Sequence, residues 1–288
     1  MSSYSKVIAG CMTWGVWGKN LNTQEMNTLI HTCLENEITT FDHADIYGDY
    51  TTETAFGKAL VDSKINRDKI QLISKCGIQY VGKTRDNKVK HYNYSKEYII
   101  WSVEQSLKNL QTEYLDLLLL HRPSPLMQAD EISEAITQLK KQGKIVDFGL
   151  SNFTPSQTNL ITSKNTITVN QIEVSLTQFS SMLNGSLDYM QAHNIMPMAW
   201  SPLGSYFKEE TDQNNRIKAE LVHLCKKYNA TESQLLLAWL YKHPAKIIPV
   251  IGTTNTQRIE EANQAQFISL ETEDWFSLLV ASQGHKVP

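Results

Sequence analysis

The sequence predicts an α/β fold: a closed (β/α)8 barrel of the TIM type, in a single domain spanning residues 1–288. Three observations carry this expectation. Short apolar, β-rich runs alternate with stretches whose apolar residues recur at helical spacing. The alternation repeats eight times with no Pro/Gly/Ser-rich linker between repeats. The runs are continuously apolar, as strands of a parallel sheet buried on both faces must be. A doubly wound open sheet is the structural alternative, but it would want fewer strands or a second domain.

In chain order the expected strands are KVIAG (6–10), ITTFDHA (38–44), IQLISKC (70–76), LDLLLLH (115–121), IVDFGLS (145–151), TVNQIEV (168–174), MPMAWSP (196–202) and IIPVIG (247–252). The expected helices cover 23–36, 52–62, 95–110, 130–142, 155–163, 185–193, 216–228 with 231–243, and 256–265, with one more after Glu271. Two helix starts carry capping boxes. Thr154-Pro155-x-Gln157 sets a hydroxyl, a first-turn proline and a reciprocal glutamine in order, and Thr231-x-x-Gln234 repeats the device.

Composition narrows the function classes. The 288 residues are 41% hydrophobic and 20% charged, with a net charge of −3, which gives no reason to expect nucleic acid or an anionic membrane as a partner. No apolar run approaches the roughly 20 residues of a membrane helix. The opening MSSYSKVIAG lacks a long apolar segment, so a cytoplasmic location is expected. Cys11, Cys33, Cys76 and Cys225 do not pair at metal-ligand spacing and read as free thiols.

Barrel enzymes keep their reactive groups at the C-terminal ends of strands. There the second strand offers Asp42, with Tyr47 in the loop beyond; the third offers Lys75; the fourth offers His121. Alone, Asp42 and Lys75 read equally as a structural ion pair, His121 as a satisfied strand-end histidine, and Tyr47 as a loop aromatic. Neighbouring strands, however, bring all four to one cavity. A phenol has a pKa of about 10 and is a poor acid at neutral pH. A lysine ammonium held cationic by an aspartate is expected to lower it by about 1–3 units. Tyr47 can then protonate a carbonyl oxygen that gains negative charge, and His121 can orient that oxygen.

The motifs FDHADIYG, LISKCG, LDLLLLHRP, FGLSNF, VNQIE, AWSPLG and IPVIGTTNTQRIEEA, in this order, resemble those of the aldo-keto reductases over nearly the whole chain. The pairing of FDHADIYG with SKCG is similar to a bacterial subgroup of generic oxidoreductases. The resemblance implies a catalytic tetrad at Asp42, Tyr47, Lys75 and His121, with Asp45 a decoy by spacing. It implies a nicotinamide whose carboxamide is held by Ser151, Asn152 and Gln171, and whose ring stacks on Trp200. Ser201, Pro202, Leu203 and Gly204 resemble the pyrophosphate loop. The segment 251–262, with Gly252, Thr253, Thr254 and Arg258, resembles the one that grips the adenosine 2′-phosphate, with Thr253 and Arg258 as contacts and Glu261 near the adenine. Thr13 and Trp14 join the cofactor set, while Trp14 and Trp17 read either as walls of the substrate pocket or as a cover for the barrel mouth.

The expected activity is therefore NADPH-dependent reduction of an aldehyde or ketone, with no metal and a small-molecule carbonyl substrate as partner. The expected state is a monomer. Many family members carry a lysine just after the Ile-Pro of the last strand, where this chain has Val250, so NADH is the lesser expectation rather than an excluded one. Other readings are a sensor of the same fold that binds the cofactor with little turnover, and a metal-dependent hydrolase using Asp42, His43, Asp45 and His121.

One motif points elsewhere. GIQYVGKT (77–84) satisfies the phosphate-binding pattern G-x-x-x-x-G-K-[ST]. A true phosphate loop runs into a helix, whereas TRDNKVKHYNY (84–94) lacks helical spacing and reads as a basic loop on the active-site rim. Lys83, Arg85, Lys88 and Lys90 within it are either solvated or turned toward anionic substrates or the cofactor.

Overall fold

The computed structural model describes residues 4–288. Its strands are β1 (Ile8–Gly10), β2 (Thr40–Asp42), β3 (Gln71–Cys76), β4 (Ile78–Gln79), β5 (His91–Tyr92), β6 (Leu115–Leu120), β7 (Ile145–Ser151), β8 (Val169–Glu173), β9 (Met196–Trp200) and β10 (Ile248–Ile251). All but β4 and β5 are parallel and close into a barrel in the order β1-β10-β9-β8-β7-β6-β3-β2. The predicted eight-stranded barrel is therefore observed, with no strand end trimmed by more than two residues. Structural neighbours described below share it.

The alternation of side chains along a strand explains where the polar residues go. Ile8, Ile73, Leu117, Leu119, Val169, Met198, Ile248 and Val250 pack together inside the barrel. Leu118, Leu120, Phe148 and Leu150 belong to the other cluster, between strands and helices. Burying each such side chain contributes about 1.5–3 kcal/mol. Two residues beyond the interior positions, the same parity returns: Gly10 after Ile8, Lys75 after Ile73, His121 after Leu119, Gln171 after Val169 and Trp200 after Met198. The polar ring thus forms one layer above an apolar plug, at the C-terminal mouth. Cys76, one step out of phase, is buried in the outer cluster.

Close packing also fixes a small residue. A Cβ on Gly149 would lie 2.6 Å from the carbonyl oxygen of Val169, so β7 and β8 could not keep their distance with any larger side chain. Both predicted capping boxes form, at Thr154 with Gln157 and at Thr231 with Gln234; each cap stabilises by about 1 kcal/mol. A third, unpredicted, joins Asn22 and Glu25. The helix expected at 216–228 starts earlier, at Asp212, because Thr211 caps it ahead of a polar first turn that has no apolar period. The last helix, Thr272–Gln283, is tied down by Trp275, which stacks on Trp239 at 4.8 Å while each indole N–H donates to the other residue's carbonyl. No helix of the described residues is long and apolar enough to cross a membrane.

The segment after β3 is not the plain loop expected. β4 and β5 pair antiparallel, Ile78 opposite Tyr92 and Gln79 opposite His91. No helix follows Thr84; the next begins at Lys96, capped by Ser95. The backbone N–H groups of Lys83 and Thr84 do hold an anion, but it is the chain's own Asp49 carboxylate, at 2.7 and 3.2 Å.

Candidate active site

The structure brings Asp42, Tyr47, Lys75 and His121 together at the barrel mouth. Lys75 is 1% exposed, and its three ammonium protons have three acceptors: Asp42 Oδ2 at 2.7 Å, the His43 carbonyl at 2.8 Å and the Tyr47 hydroxyl oxygen at 3.0 Å. Because the Tyr47 oxygen accepts from Lys75, its own proton is free to be donated toward the cavity it lines. The rings of Tyr47 and His121 meet edge to face at 6.0 Å.

Burial sets the proton affinities. Desolvation alone would lower the Lys75 value, but Asp42 and Tyr47 together hold it above the ordinary lysine range, so the ammonium persists. His121 is pushed well below the usual imidazole value by burial, with Lys75, Arg122 and Lys90 adding to the effect, so it is neutral at pH 7. Tyr47 departs from the sequence expectation. Its value is raised rather than lowered, because burial outweighs the opposing pull of Lys75. The phenol therefore stays protonated at neutral pH.

A polar relay crosses the mouth. Gln171 Nε2 donates to Asp42 Oδ1 at 2.9 Å, so each oxygen of the aspartate has one partner on opposite sides of the barrel. Ser151 Oγ donates to the Gln171 carbonyl at 3.0 Å, Asn152 Nδ2 donates to Ser151 Oγ at 2.8 Å, and Trp200 Nε1 donates to Asn152 Oδ1 at 2.9 Å. Asn152 and Ser201 occupy left-handed backbone at φ 62° and 48°, a region uncommon for residues with a side chain. Gly204 lies at φ 55°, and a Cβ there would sit 1.9 Å from Thr177 Oγ1.

From this layer a cavity of 1930 Å³ extends outward past β9 and β10. Of the residues expected to hold a cofactor, Thr13, Ser151, Asn152, Gln171, Trp200, Ser201, Pro202, Leu203 and Gly204 line it, as do Gly252, Thr253, Thr254 and Arg258. Two do not. Trp14 is 1% exposed and packs on Phe41 and Phe56, at 6.1 and 5.9 Å, because the turn after β1 folds it into the outer core. Trp17 takes the place at the rim instead, against Tyr80 and Tyr47. Glu261 is held by Ser233 and Gln257 outside the lining. Phe207 reaches the cavity, while its neighbour Tyr206 is buried in the outer core.

Sequence reasoning missed Arg122, Lys19 and Lys208 at the cavity. Only for Arg122 was there a signal, its place next to His121 at a strand end. Asp45 does not touch the ammonium; it accepts from Ser102 and Tyr98. His43 lies under the edge of Phe56 at 4.3 Å with neither ring nitrogen hydrogen-bonded. Among the described residues no group of three or more His, Cys, Asp or Glu is arranged to hold a metal ion.

A sequence model of the Aldo/keto reductase family matches residues 6–278. The chain belongs to that family. The reductase is 42% identical over 291 aligned positions to the uncharacterized oxidoreductase YcsN of Bacillus subtilis, covering 99% of this chain and 96% of that protein. It is 39% identical to a 6-dehydroglucose reductase of Agrobacterium fabrum, with 96% and 95% covered. Among solved structures, the thermostable aldo-keto reductase Tm1743 in complex with epalrestat superposes with a TM-score of 0.81 at 26% identity, covering 96% of this chain and 94% of that one. The glycerol dehydrogenase AKR11B4 of Gluconobacter oxydans, at 20% identity and a TM-score of 0.86, shares the fold, with 100% and 95% covered. The reductase is thus an NAD(P)H-dependent oxidoreductase that acts on carbonyl compounds.

The lining residues fit a nicotinamide dinucleotide. The cavity runs from the Lys75 layer, past the face of Trp200, to the start of the helix Thr256–Gln264 and Arg258, whose guanidinium has no carboxylate partner among the described residues. Backbone amides at a helix start and an unpaired guanidinium both suit phosphate.

Proposed function

We propose that this reductase converts an aldehyde or ketone to an alcohol with NADPH, using Tyr47 as the general acid. The observation that carries the reading is the Lys75 ammonium, which bridges Asp42 and the Tyr47 oxygen directly beneath the cavity. The cofactor, when bound, supplies the hydride that reaches the carbonyl carbon. Tyr47 donates its proton to the oxygen that becomes negative. Lys75 stabilises the phenolate that results, and Asp42 keeps Lys75 charged and in place. His121, neutral, donates one hydrogen bond that orients the carbonyl oxygen before transfer.

Ser151, Asn152 and Gln171 offer amide and hydroxyl groups for the carboxamide, and Trp200 offers a flat face for the ring. The unpaired Arg258 supports a preference for the 2′-phosphorylated cofactor. The substrate is a small carbonyl compound rather than a nucleic acid. Tyr47→Phe tests the acid role: kcat with a reactive aldehyde is expected to fall by about 10²–10⁴, while NADPH binding by fluorescence titration stays within about threefold, a shift of under 1 kcal/mol. Turnover by that variant at the parent rate would remove Tyr47 from the mechanism.

A further inference from the structure

The protein is acidic overall, with net charge −3, yet the cavity is basic. Its lining includes Lys19, Lys90, Arg122, Lys208 and Arg258, against the carboxylates of Asp42 and Glu232. Asp42 is already committed to Lys75 and Gln171. Arg258 and Lys208 lie on the segments that follow β10 and β9, at the end assigned to the dinucleotide phosphates. Lys90 and Arg122 lie at the other end. Arg122 directly follows His121, and Lys90 comes from the strand side of the β4–β5 segment that rims the mouth. Both are close enough to His121 for their charges to depress its proton affinity.

Arg122 is held in place by its backbone. Its N–H donates to the Tyr94 hydroxyl at 3.1 Å, and that hydroxyl donates back to the Arg122 carbonyl at 2.5 Å. Its guanidinium lies 5.3 Å from the centre of the Trp200 ring, with no carboxylate partner among the described residues. Lys90 likewise has no ion pair among the described residues. A half-buried guanidinium over an aromatic face, beside the atoms that receive the carbonyl, presents a fork of donors to the oxygens of a carboxylate or a phosphate.

We propose that the substrate of this reductase carries, besides its carbonyl, an anionic group, a carboxylate or a phosphate, held by Arg122 and Lys90 at the barrel mouth. The inference rests on the carbonyl-reduction reading above and names the substrate class for the same site. The anion takes no part in bond changes. Hydride adds to the carbonyl carbon, Tyr47 protonates the oxygen, and Arg122 and Lys90 fix which face and which end of the molecule enter.

The test compares kcat/KM for matched pairs with NADPH: 4-carboxybenzaldehyde against methyl 4-formylbenzoate, and glyceraldehyde 3-phosphate against glyceraldehyde. One charge-assisted hydrogen bond contributes about 1.5–3 kcal/mol, so the charged member of at least one pair is expected to be favoured by about 10-fold or more. The pair that shows the preference identifies carboxylate or phosphate. The ratio should fall to within about threefold in Arg122→Met, fall partway in Lys90→Met and survive in part in Arg122→Lys. It should also shrink as salt rises from about 0.05 to 0.5 M, where the screening length drops severalfold. Melting temperature and NADPH titration check that each variant is folded; should Arg122→Met not fold, Lys90→Met and the salt series decide. Ratios near one in the parent, or ratios that persist in both methionine variants, overturn the proposal while leaving carbonyl reduction standing. Failure to reduce any of the four aldehydes overturns the reduction reading and this proposal with it.

Discussion

The two halves of the cavity are built on opposite terms. Around β2 and β3 the charged groups are buried and already paired: Lys75 and Asp42 are 1% and 2% exposed and joined at 2.7 Å. Beyond β9 and β10 the cations Lys208 and Arg258 are exposed and unpaired, and the backbone visits left-handed conformations at Ser201 and Gly204. The first half pays its desolvation cost on folding, so its geometry is fixed before any ligand arrives. The second keeps its cations in water, where they are cheap to hold and available to a phosphate. The buried ion pair sits on the rigid strands β2 and β3, whereas the exposed cations sit on the segments that follow β9 and β10.

The sharpest way to break this contrast is Lys75→Met. It leaves Asp42 buried without its partner, so unfolding free energy should fall by about 3–5 kcal/mol, read by urea denaturation, and turnover should be lost. The double variant Asp42→Asn/Lys75→Met should regain part of the stability and none of the activity. Recovery of activity in the double variant would show that the pair is only structural.

On the other half, Arg258→Ala should barely change the melting temperature. It should weaken NADPH binding by about 10-fold, the size expected for one charge-assisted contact, with NADH nearly unaffected. Equal losses for the two cofactors would separate Arg258 from the 2′-phosphate.

The smallest effect concerns a buried group outside the tetrad. Asp45 is raised to about 7 by burial, with Glu53 adding to the rise and Arg85 opposing it. An unfolded aspartate titrates near 3.9, so between about pH 4 and 7 the folded state holds a proton that unfolding releases. Asp45 therefore contributes stability that is lost as pH rises through that window and is constant above it. The buried His43, lowered to about 3, acts with the opposite sign. The difference between the parent and Asp45→Asn isolates the aspartate. The variant should lose less melting temperature than the parent between pH 5 and 8, and an identical slope would contradict the raised value.

Much of the paired half was legible in the sequence. Interior parity places Lys75 two residues after Ile73 and His121 two after Leu119, so their convergence follows from the strand pattern alone. The sign of the Tyr47 shift was not legible, because it depends on how completely the loop buries the ring. Trp14 was misplaced for a related reason. A loop tryptophan can cover a mouth or turn into the core, and only its packing on Phe41 and Phe56 decides. The short pairing of Ile78–Gln79 with His91–Tyr92 left no periodic signal, since two residues cannot show an alternation. On the exposed half, Lys208 carries no pattern at all; its place at the cavity comes from the course of the chain after Trp200.

The relay from Trp200 through Asn152 and Ser151 to Gln171, and from Gln171 to Asp42, gives each of these side chains a hydrogen-bond partner within the chain. On the proposed reading, a pyridine amide that docks there exchanges partners with these side chains rather than adding new ones, and gains little grip by doing so. Tenacity has to come from the far end of the dinucleotide. An adenosine fragment with its phosphates, stripped of the reactive ring, should cling almost as firmly as the intact molecule.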